Sequence, residues 1–261
     1  MATHRWTDVL ITGASSGIGK ALAEALAAPG VTLHLSGRDA GRLAETVASC
    51  RGRGATVRDI VLDVTDAPGM AAWVRSSQRL DLVIANAGIS GGTGTAHEPV
   101  EQARRIFAVN VTGVLNTALP AIELMAAQPP GAEGRRGHVA VVASIAAFLA
   151  APGAPAYCAS KAAVQRWAEA LDVTERRRGI RVSAVCPGYI RTPMTARNPF
   201  PMPLLMDPDE AARRILAGLA AGRARVVFPR RLYWAARAFG ALPAPLRNWA
   251  FGRLPGKPAM R

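Results

Sequence analysis

Asp8-Val-Leu-Ile-Thr12-Gly13-Ala-Ser15-Ser16-Gly17-Ile18-Gly19 is an apolar run of strand length that breaks at a glycine and reopens as a helical pattern. Glycines at such a break permit a tight turn and a close approach of backbone to a pyrophosphate. The free N–H groups of the following helix attract that group. The G-x3-G-x-G spacing carries little weight alone in a chain with 25 glycines in 261 residues. Its position between the first strand and the first helix is what separates it from an ordinary glycine-rich turn.

Further along, strand-like runs at 31–36, 56–62, 82–85, 139–143, 181–186 and 225–228 alternate with helical ones near 17–28, 40–51, 68–77, 100–127, 156–178 and 208–221. Apolar strands separated by helices of this length predict a central parallel sheet covered by helices on both faces, a doubly wound α/β domain. The pattern divides the chain into 1–228, a dinucleotide-binding and catalytic domain, and 229–261, a basic amphipathic extension.

Composition narrows the function classes. Half of the residues are apolar, enough for one full-sized core. The strand pattern begins at Asp8, which predicts that no signal peptide precedes it. The longest uncharged run, 139–160, is interrupted by Pro152, Gly153 and Pro155. Its apolar part is about 13 residues, short of the ~20 of a membrane helix. Cys50, Cys158 and Cys186 form no paired motif and suit a reducing cytoplasm. The four histidines are scattered, so no metal site is expected. The net charge of +14 fits an anionic membrane surface, a polyphosphate cofactor or nucleic acid, or a compositional bias toward Arg. Nucleic acid is the weakest of these, because no zinc-finger spacing or aromatic RNA motif is present.

Ligands of doubly wound folds bind outside the carboxyl ends of the strands. After the second strand stands Ser36-Gly37-Arg38-Asp39. A carboxylate at this strand end suits the ribose 2′-hydroxyl of NAD, and an arginine suits the 2′-phosphate of NADP. Gly37 leaves the acid's place empty and Arg38 follows, so NADP is favoured over NAD, with Asp39 read as the N-cap of the next helix. Asp63-Val64 ends the third strand and Asn86-Ala-Gly88 the fourth; Gly88 lets a cofactor lie against the sheet, although either pair could be turn chemistry alone. Asn110 interrupts an apolar helical stretch and needs buried partners.

Ser144-Ile-Ala-Ala-Phe-Leu-Ala-Ala-Pro-Gly-Ala-Pro-Ala-Tyr157-Cys-Ala-Ser-Lys161 supplies the chemistry. Lys161 lies one helical turn after Tyr157, on the same face. A phenol with a pKa near ~10 exchanges protons poorly at neutral pH, and a nearby ammonium lowers that value. Ser144, at the end of a β-like run, can offer its hydroxyl to the same substrate oxygen. The three make an acid/base centre for a carbonyl or an alcohol.

Taken together, Thr12-Gly-x3-Gly-x-Gly19, Asn86-Ala-Gly88, Asn110, Ser144, Tyr157-x3-Lys161 and Pro187-Gly188 resemble the short-chain dehydrogenase/reductase family, from about residue 9 to 228. The resemblance implies a Rossmann-type fold and an NAD(P)-dependent enzyme acting on CH–OH groups. It implies that Tyr157 gives or takes the proton, that Ser144 holds the substrate oxygen and that Asn110 anchors a water relaying protons to Lys161. Lys161 would bond the nicotinamide ribose beside Tyr157 and depress its phenol. Cofactor contacts would come from Gly13, Ser15, Ser16, Gly17, Ile18, Gly19, Arg38, Asn86 and Gly88. Asp63 and Val64 would meet adenine, and Ile190 and Thr192, after Pro187-Gly188, the carboxamide. Pairing through the long helices implies a homodimer or homotetramer.

The expected activity is NADP(H)-dependent interconversion of a carbonyl and a secondary alcohol on an apolar, lipid-like substrate. Reduction of 3-oxoacyl thioesters would use the same residues, and a non-catalytic NADP-binding sensor or scaffold at a membrane is the reading from another class. The apolar expectation comes from Met194, Phe200, Met202, Leu204, Leu205 and Met206, a segment that the resemblance places over the active site, with Phe148 and Leu149 lining the same pocket. From Pro229 to Arg261 there is no Asp or Glu, and Trp234 and Trp249 stand among arginines. Two short helices with a proline hinge would suit an anionic membrane surface, the rim of the substrate site or a neighbouring subunit.

Overall fold

The computed structural model describes residues 6–93, 97–131, 134–251 and 259. Seven strands, β1 (Asp8–Thr12), β2 (Thr32–Gly37), β3 (Thr56–Val61), β4 (Leu82–Ala85), β5 (Gly137–Val142), β6 (Ile180–Pro187) and β7 (Arg225–Phe228), form one sheet. Their order is β3-β2-β1-β4-β5-β6-β7, and every pairing is parallel. The strand order reverses between β1 and β4, which opens a crevice at their carboxyl ends.

Side chains two residues apart share a face of a strand, and the strands are apolar in both phases. Val9, Ile11, Leu33, Leu35, Leu82, Ile84, Ala140, Val142 and Val185 join one core cluster. Leu10, Val83, Ala85, Val139, Val141, Val182, Ala184 and Cys186 join the other. Helices α1 (Gly17–Leu26), α2 (Ala40–Gly52) and α7 (Pro208–Ala220) cover the first face. Helices α3 (Ala67–Arg75), α5 (Gly113–Ala127) and α6 (Pro155–Glu175) cover the second, with α4 (Val100–Phe107) running into α5 through a π-helical turn at Ala108–Thr112.

Local chemistry sets the helix starts. Asp39 caps α2 by accepting from the Arg42 amide at 3.0 Å, as its sequence position predicted. Asp66 caps α3 in the same way through Gly69 at 3.0 Å. The stretch Val100–Ala127 is long and apolar enough, by length and composition, to cross a membrane. Half of its apolar window is buried, and Val114, Ala118, Ala121, Ile122 and Met125 pack into the second core, so the fold uses it as a core helix.

The described part of 229–261 forms α8 (Arg230–Gly240) and α9 (Ala244–Phe251), with Pro243 between them. Residues 252–258, 260 and 261, which include Arg253, Leu254 and Lys257 of the expected basic tail, lie outside the described residues. α8 packs Tyr233 and Ala236 against Ile145, in the turn that follows Ser144.

Buried Asp172 anchors the far end of α6. Its Oδ1 accepts from the Val182 amide and from Arg181 Nε, both at 2.9 Å, and Arg176 pairs with Oδ2. Burial raises its carboxyl pKa, but the Val182 amide and the two arginines outweigh that and hold it below the ordinary carboxylate value. A depressed folded-state pKa stabilises the protein above the unfolded value near ~3.9, and that stability is lost as pH falls through the folded value. Asp172→Asn is therefore expected to cost about 3 kcal/mol near neutral pH. Thermal melts should show a drop of roughly 6–12 °C, shrinking as pH falls below ~4.

Candidate active site

The carboxyl ends of the strands surround a cleft of about 530 Å³. Gly13, Ser15, Ser16, Gly17 and Ile18 form one wall. Gly13 (φ 68°) and Gly17 (φ 55°) take the left-handed conformation that glycine adopts without strain. Ser16 caps α1 from extended backbone, its side chain makes no cap bond, and the first turn holds no acidic residue. The first N–H groups of α1 thus remain available to an anion. Gly19 is not part of the cleft wall. A Cβ there would run into the Gly13 carbonyl oxygen and the Asn86 amide, so its role is to let α1 sit close to the turn.

Asn86 ties β4 to that turn. Its Nδ2 donates to the Thr12 carbonyl at 3.0 Å and to the Gly13 carbonyl at 3.2 Å. Its own amide and that of Ala87 donate to Thr12 Oγ1, at 3.1 and 3.2 Å. Asn86 and Gly88 both line the cleft.

Arg38 and Asp63 face each other at 3.5 Å across the cleft edge, both about half exposed. Asp63 also accepts from the amide and hydroxyl of Thr65, both at 2.9 Å. The Asp39 carboxylate is engaged by the start of α2 and by Arg42 Nε at 2.8 Å. Arg42 lines the cleft beside Arg38 and Gly37, and sequence reasoning missed it. The signal was present: a second arginine stands in the first turn of the helix that Asp39 caps. Val64, Pro187, Gly188, Ile190 and Thr192 also line the cleft, as expected, and Arg105 joins them unexpectedly.

Ser144, Tyr157 and Lys161 converge on the same cleft. Ser144 ends the β5 segment and caps the next turn, its Oγ accepting from the Ala146 amide at 3.1 Å, and its side chain hydrogen-bonds Tyr157. Lys161 is buried and donates from Nζ to the Val142 carbonyl at 2.8 Å. Its Nζ lies 6.0 Å from the Tyr157 ring centre. Burial pushes the Tyr157 phenol up to about 12, against the pull of Ser144. Burial likewise lowers Lys161, to about 8. Burial thus sets the direction of the phenol here, and Lys161, whose Nζ is turned toward the Val142 carbonyl, is not among the groups that lower it.

Asn110 sits in the π-helical turn, fully buried and outside the cleft lining. Its Oδ1 accepts from the Ile89 amide at 2.8 Å, and its Nδ2 donates to the Ile89 carbonyl at 2.9 Å and to Ser160 Oγ at 3.0 Å. It ties the segment that follows β4 to α6. A Cβ on Gly88 would lie 3.3 Å from both Asn110 Oδ1 and Lys161 Nζ, so the two groups meet at Gly88.

Glu98 is a further residue that the sequence did not single out. Its Oε2 accepts from the Ala156 amide at 3.0 Å, capping the first turn of α6 just before Tyr157. Its Oε1 accepts from Gln102, which in turn donates to the Gly92 carbonyl at 2.9 Å. The expected pocket residues fare unevenly. Met194 lines the cleft, whereas Phe148 turns away to meet Tyr233 edge-on at 5.0 Å, and Phe200 packs near Tyr189 at 6.3 Å. Leu149, Met202, Leu204, Leu205 and Met206 are absent from the lining; Leu204 is exposed and Met206 is buried.

Comparison with known proteins fits this architecture. The family described as short chain dehydrogenase matches residues 7–200. An uncharacterized oxidoreductase of Myxococcus xanthus is 38% identical over 97% of this chain and all of its own length. A putative ketoacyl reductase of granaticin polyketide synthesis from Streptomyces violaceoruber is 39% identical, over 72% of this chain and 69% of its own. A short-chain dehydrogenase from Sphingobium yanoikuyae, solved in complex with NADPH, superposes with a TM-score of 0.78 at 27% identity, covering 95% of this chain and 96% of that one. With its glycine-turned crevice at the sheet's switch point and a match that runs from β1 past β6, the chain belongs to the short-chain dehydrogenase/reductase family and is an oxidoreductase of alcohol and carbonyl groups.

Proposed function

We propose that the chain is an NADP(H)-dependent oxidoreductase that interconverts a carbonyl and a secondary alcohol on an apolar substrate, with Tyr157 as proton donor and acceptor. The observation that carries this reading is the Ser144–Tyr157 hydrogen bond beside buried Lys161, at the edge of a cleft shaped for a dinucleotide. The residues fit such a cofactor. The glycine turn and the open N-terminus of α1 would hold its pyrophosphate, Asp63 and Val64 its adenine, and Lys161 with Tyr157 its nicotinamide ribose. Ile190 and Thr192 would meet the carboxamide. A bound nicotinamide supplies or takes up a hydride.

The chain's own groups handle the proton. With its phenol near 12, Tyr157 is protonated at neutral pH and is poised to donate to a carbonyl oxygen. Ser144 can share that oxygen through its hydroxyl. Lys161, near 8, carries its charge at pH 7 and stabilises the phenolate once the proton has left. Asn110 fixes Ile89 and the start of α6, so it positions Lys161 from behind.

Arg38 and Arg42 favour the 2′-phosphate. The Arg38–Asp63 pair is exposed and long, and such pairs contribute at most about 1 kcal/mol, so Arg38 can turn to a phosphate at small cost. The apolar substrate rests on where the charges lie. Apart from Lys161, the charged lining groups Arg38, Asp39, Arg42, Asp63 and Arg105 stand on segments other than those carrying Ser144 and Tyr157. Of the lining residues at and after the β5 and β6 ends, Val142, Ala143, Pro187, Ile190, Pro193 and Met194 are apolar, Ser144, Thr192 and Thr195 carry hydroxyls, and none is charged. A second reading, reduction of a 3-oxoacyl thioester, is favoured by the likeness to the putative ketoacyl reductase.

Tyr157→Phe keeps the ring and removes the proton. Turnover is expected to fall about 10²- to 10⁴-fold, while cofactor affinity, measured by fluorescence titration, stays near that of the unchanged chain. A Phe variant that turns over normally would end this mechanism.

Arg38→Ala should abolish a preference for NADPH over NADH, and Arg38→Ala with Arg42→Ala should reverse it. Calorimetric titration of both cofactors reads the effect, and tighter binding of NADH by the unchanged chain would contradict the assignment. A screen following NADPH absorbance with medium- and long-chain ketones, 3-oxoacyl thioesters and short sugars separates the substrate readings. Activity confined to sugars would refute the apolar one.

A further inference from the structure

The two faces of α8 meet different surroundings. On the inner face, Tyr233 packs its ring edge-on against Phe148 at 5.0 Å, and its hydroxyl accepts from Arg225 Nη1 at 2.9 Å. Gly240, on the same face, sits so close to the Phe148 carbonyl that no side chain would fit there. Leu232 reaches the turn at Gly188, where an added Cβ would lie 2.9 Å from it. Ser144, just before Phe148, and Gly188 both line the cleft. α8 therefore sits directly behind the cleft's rim on the Ser144 side.

The outer face carries Arg230, Arg231 and Trp234, with Arg237 at its border, where the guanidinium also lies 6.0 Å from the Tyr233 ring; all four are exposed. Trp234 is 63% exposed, and on α9 Trp249 is 64% exposed beside exposed Leu246. Placing Trp234 at 100° per residue puts it between Arg230 and Arg237 on one side and Arg231 on the other. No acidic residue occurs from Pro229 onward, so nothing within the segment neutralises these charges.

We propose that the outer face of α8 and α9 docks on an anionic lipid bilayer, and so holds the rim of the cleft at the membrane surface. Indole rings settle at headgroup depth, and the arginines flanking Trp234 meet lipid phosphates there. The charge pattern favours this occupant over a second copy of the chain. A two-fold interface sets the same patch against itself, which would oppose arginine to arginine with no carboxylate from this segment between them. The docking stands apart from the substrate reading, because it depends on the outer face alone.

Co-sedimentation of the full chain with vesicles tests it. Binding to phosphatidylcholine alone should be weak, should rise as phosphatidylglycerol is added, and should fall when salt is raised from low to physiological strength. Trp234→Ala combined with Arg231→Glu removes exposed side chains, including the indole 5.1 Å from the Tyr233 ring, and keeps the contacts of Tyr233 with Phe148 and Arg225. It should weaken binding about tenfold or more, with an unchanged circular dichroism spectrum and an unchanged size in gel filtration. The proposal is overturned if the chain stays in the supernatant at every lipid composition, or if the double variant binds like the unchanged chain. It is equally overturned if the variant's only effect is to split an oligomer, which would assign the face to a second copy. Vesicle binding by a chain that reduces no apolar ketone would refute the substrate reading and leave the docking intact.

Discussion

β1 and β4 are neighbours in the sheet, yet the helices that follow them leave toward opposite faces, and Asn86 holds the resulting gap to a fixed width. The amide of one side chain satisfies the carbonyls of Thr12 and Gly13, while the Thr12 hydroxyl receives two backbone amides from the end of β4. Without these bonds, several polar groups would be left unpaired where the strands diverge, each at a cost of about 1–3 kcal/mol if it stayed buried. The clamp also sets how near α1 comes to the sheet, because Gly19 packs against the same Gly13 carbonyl and Asn86 amide. The anion-attracting helix end and the floor of the cleft are therefore positioned by one small polar cluster.

The opposite end of the cleft is governed by burial. Enclosing Tyr157 and Lys161 together pushes the phenol up and the amine down, so both oppose ionisation. The two effects differ in consequence. At pH 7 a phenol near 12 remains an acid with its proton, and an amine near 8 remains a cation. If, as proposed, Tyr157 gives its proton to a carbonyl oxygen, the resting pair is set for that direction, and the alcohol-oxidising direction would need a phenolate supported by a charged Lys161.

Much of this was legible in the chain itself. The parallel sheet follows from strands apolar in both phases, and the ends of β7 and the start of α2 fall where Arg225, Phe228 and Asp39 indicated. Tyr157 and Lys161 were readable because a four-residue spacing on a helix fixes a shared face. What escaped the sequence depends on contacts between distant segments. Glu98 lies 58 positions from the amide it caps, and nothing local marks it. Phe148 reads as a pocket residue by its closeness to Ser144, but its direction is decided by Tyr233, 85 positions later in the chain. The phenol's raised pKa was missed for the same reason: the pair's spacing is local, whereas its burial is built by β5 and by the segment after β6.

The fate of Phe148 also changes what the C-terminal segment is to the fold. Sequence pattern set 229–261 apart as a basic amphipathic extension suited to a membrane surface, the rim of the substrate site or a neighbouring subunit. In three dimensions a chain of contacts runs from Glu169 on α6 to Arg225 on β7, from Arg225 to the Tyr233 hydroxyl and over the Phe148 ring at 5.4 Å, and so to the turn that carries Ser144. The guanidinium is pinned between a carboxylate and a phenol, which raises its pKa and keeps it charged. Two aromatic rings and one fixed cation thus tie α8 to the same helix that presents Tyr157. α8 thus packs on residues 145–149, next to Ser144. A segment that carries arginines and no carboxylate is therefore packed against the turn that follows Ser144 at the cleft.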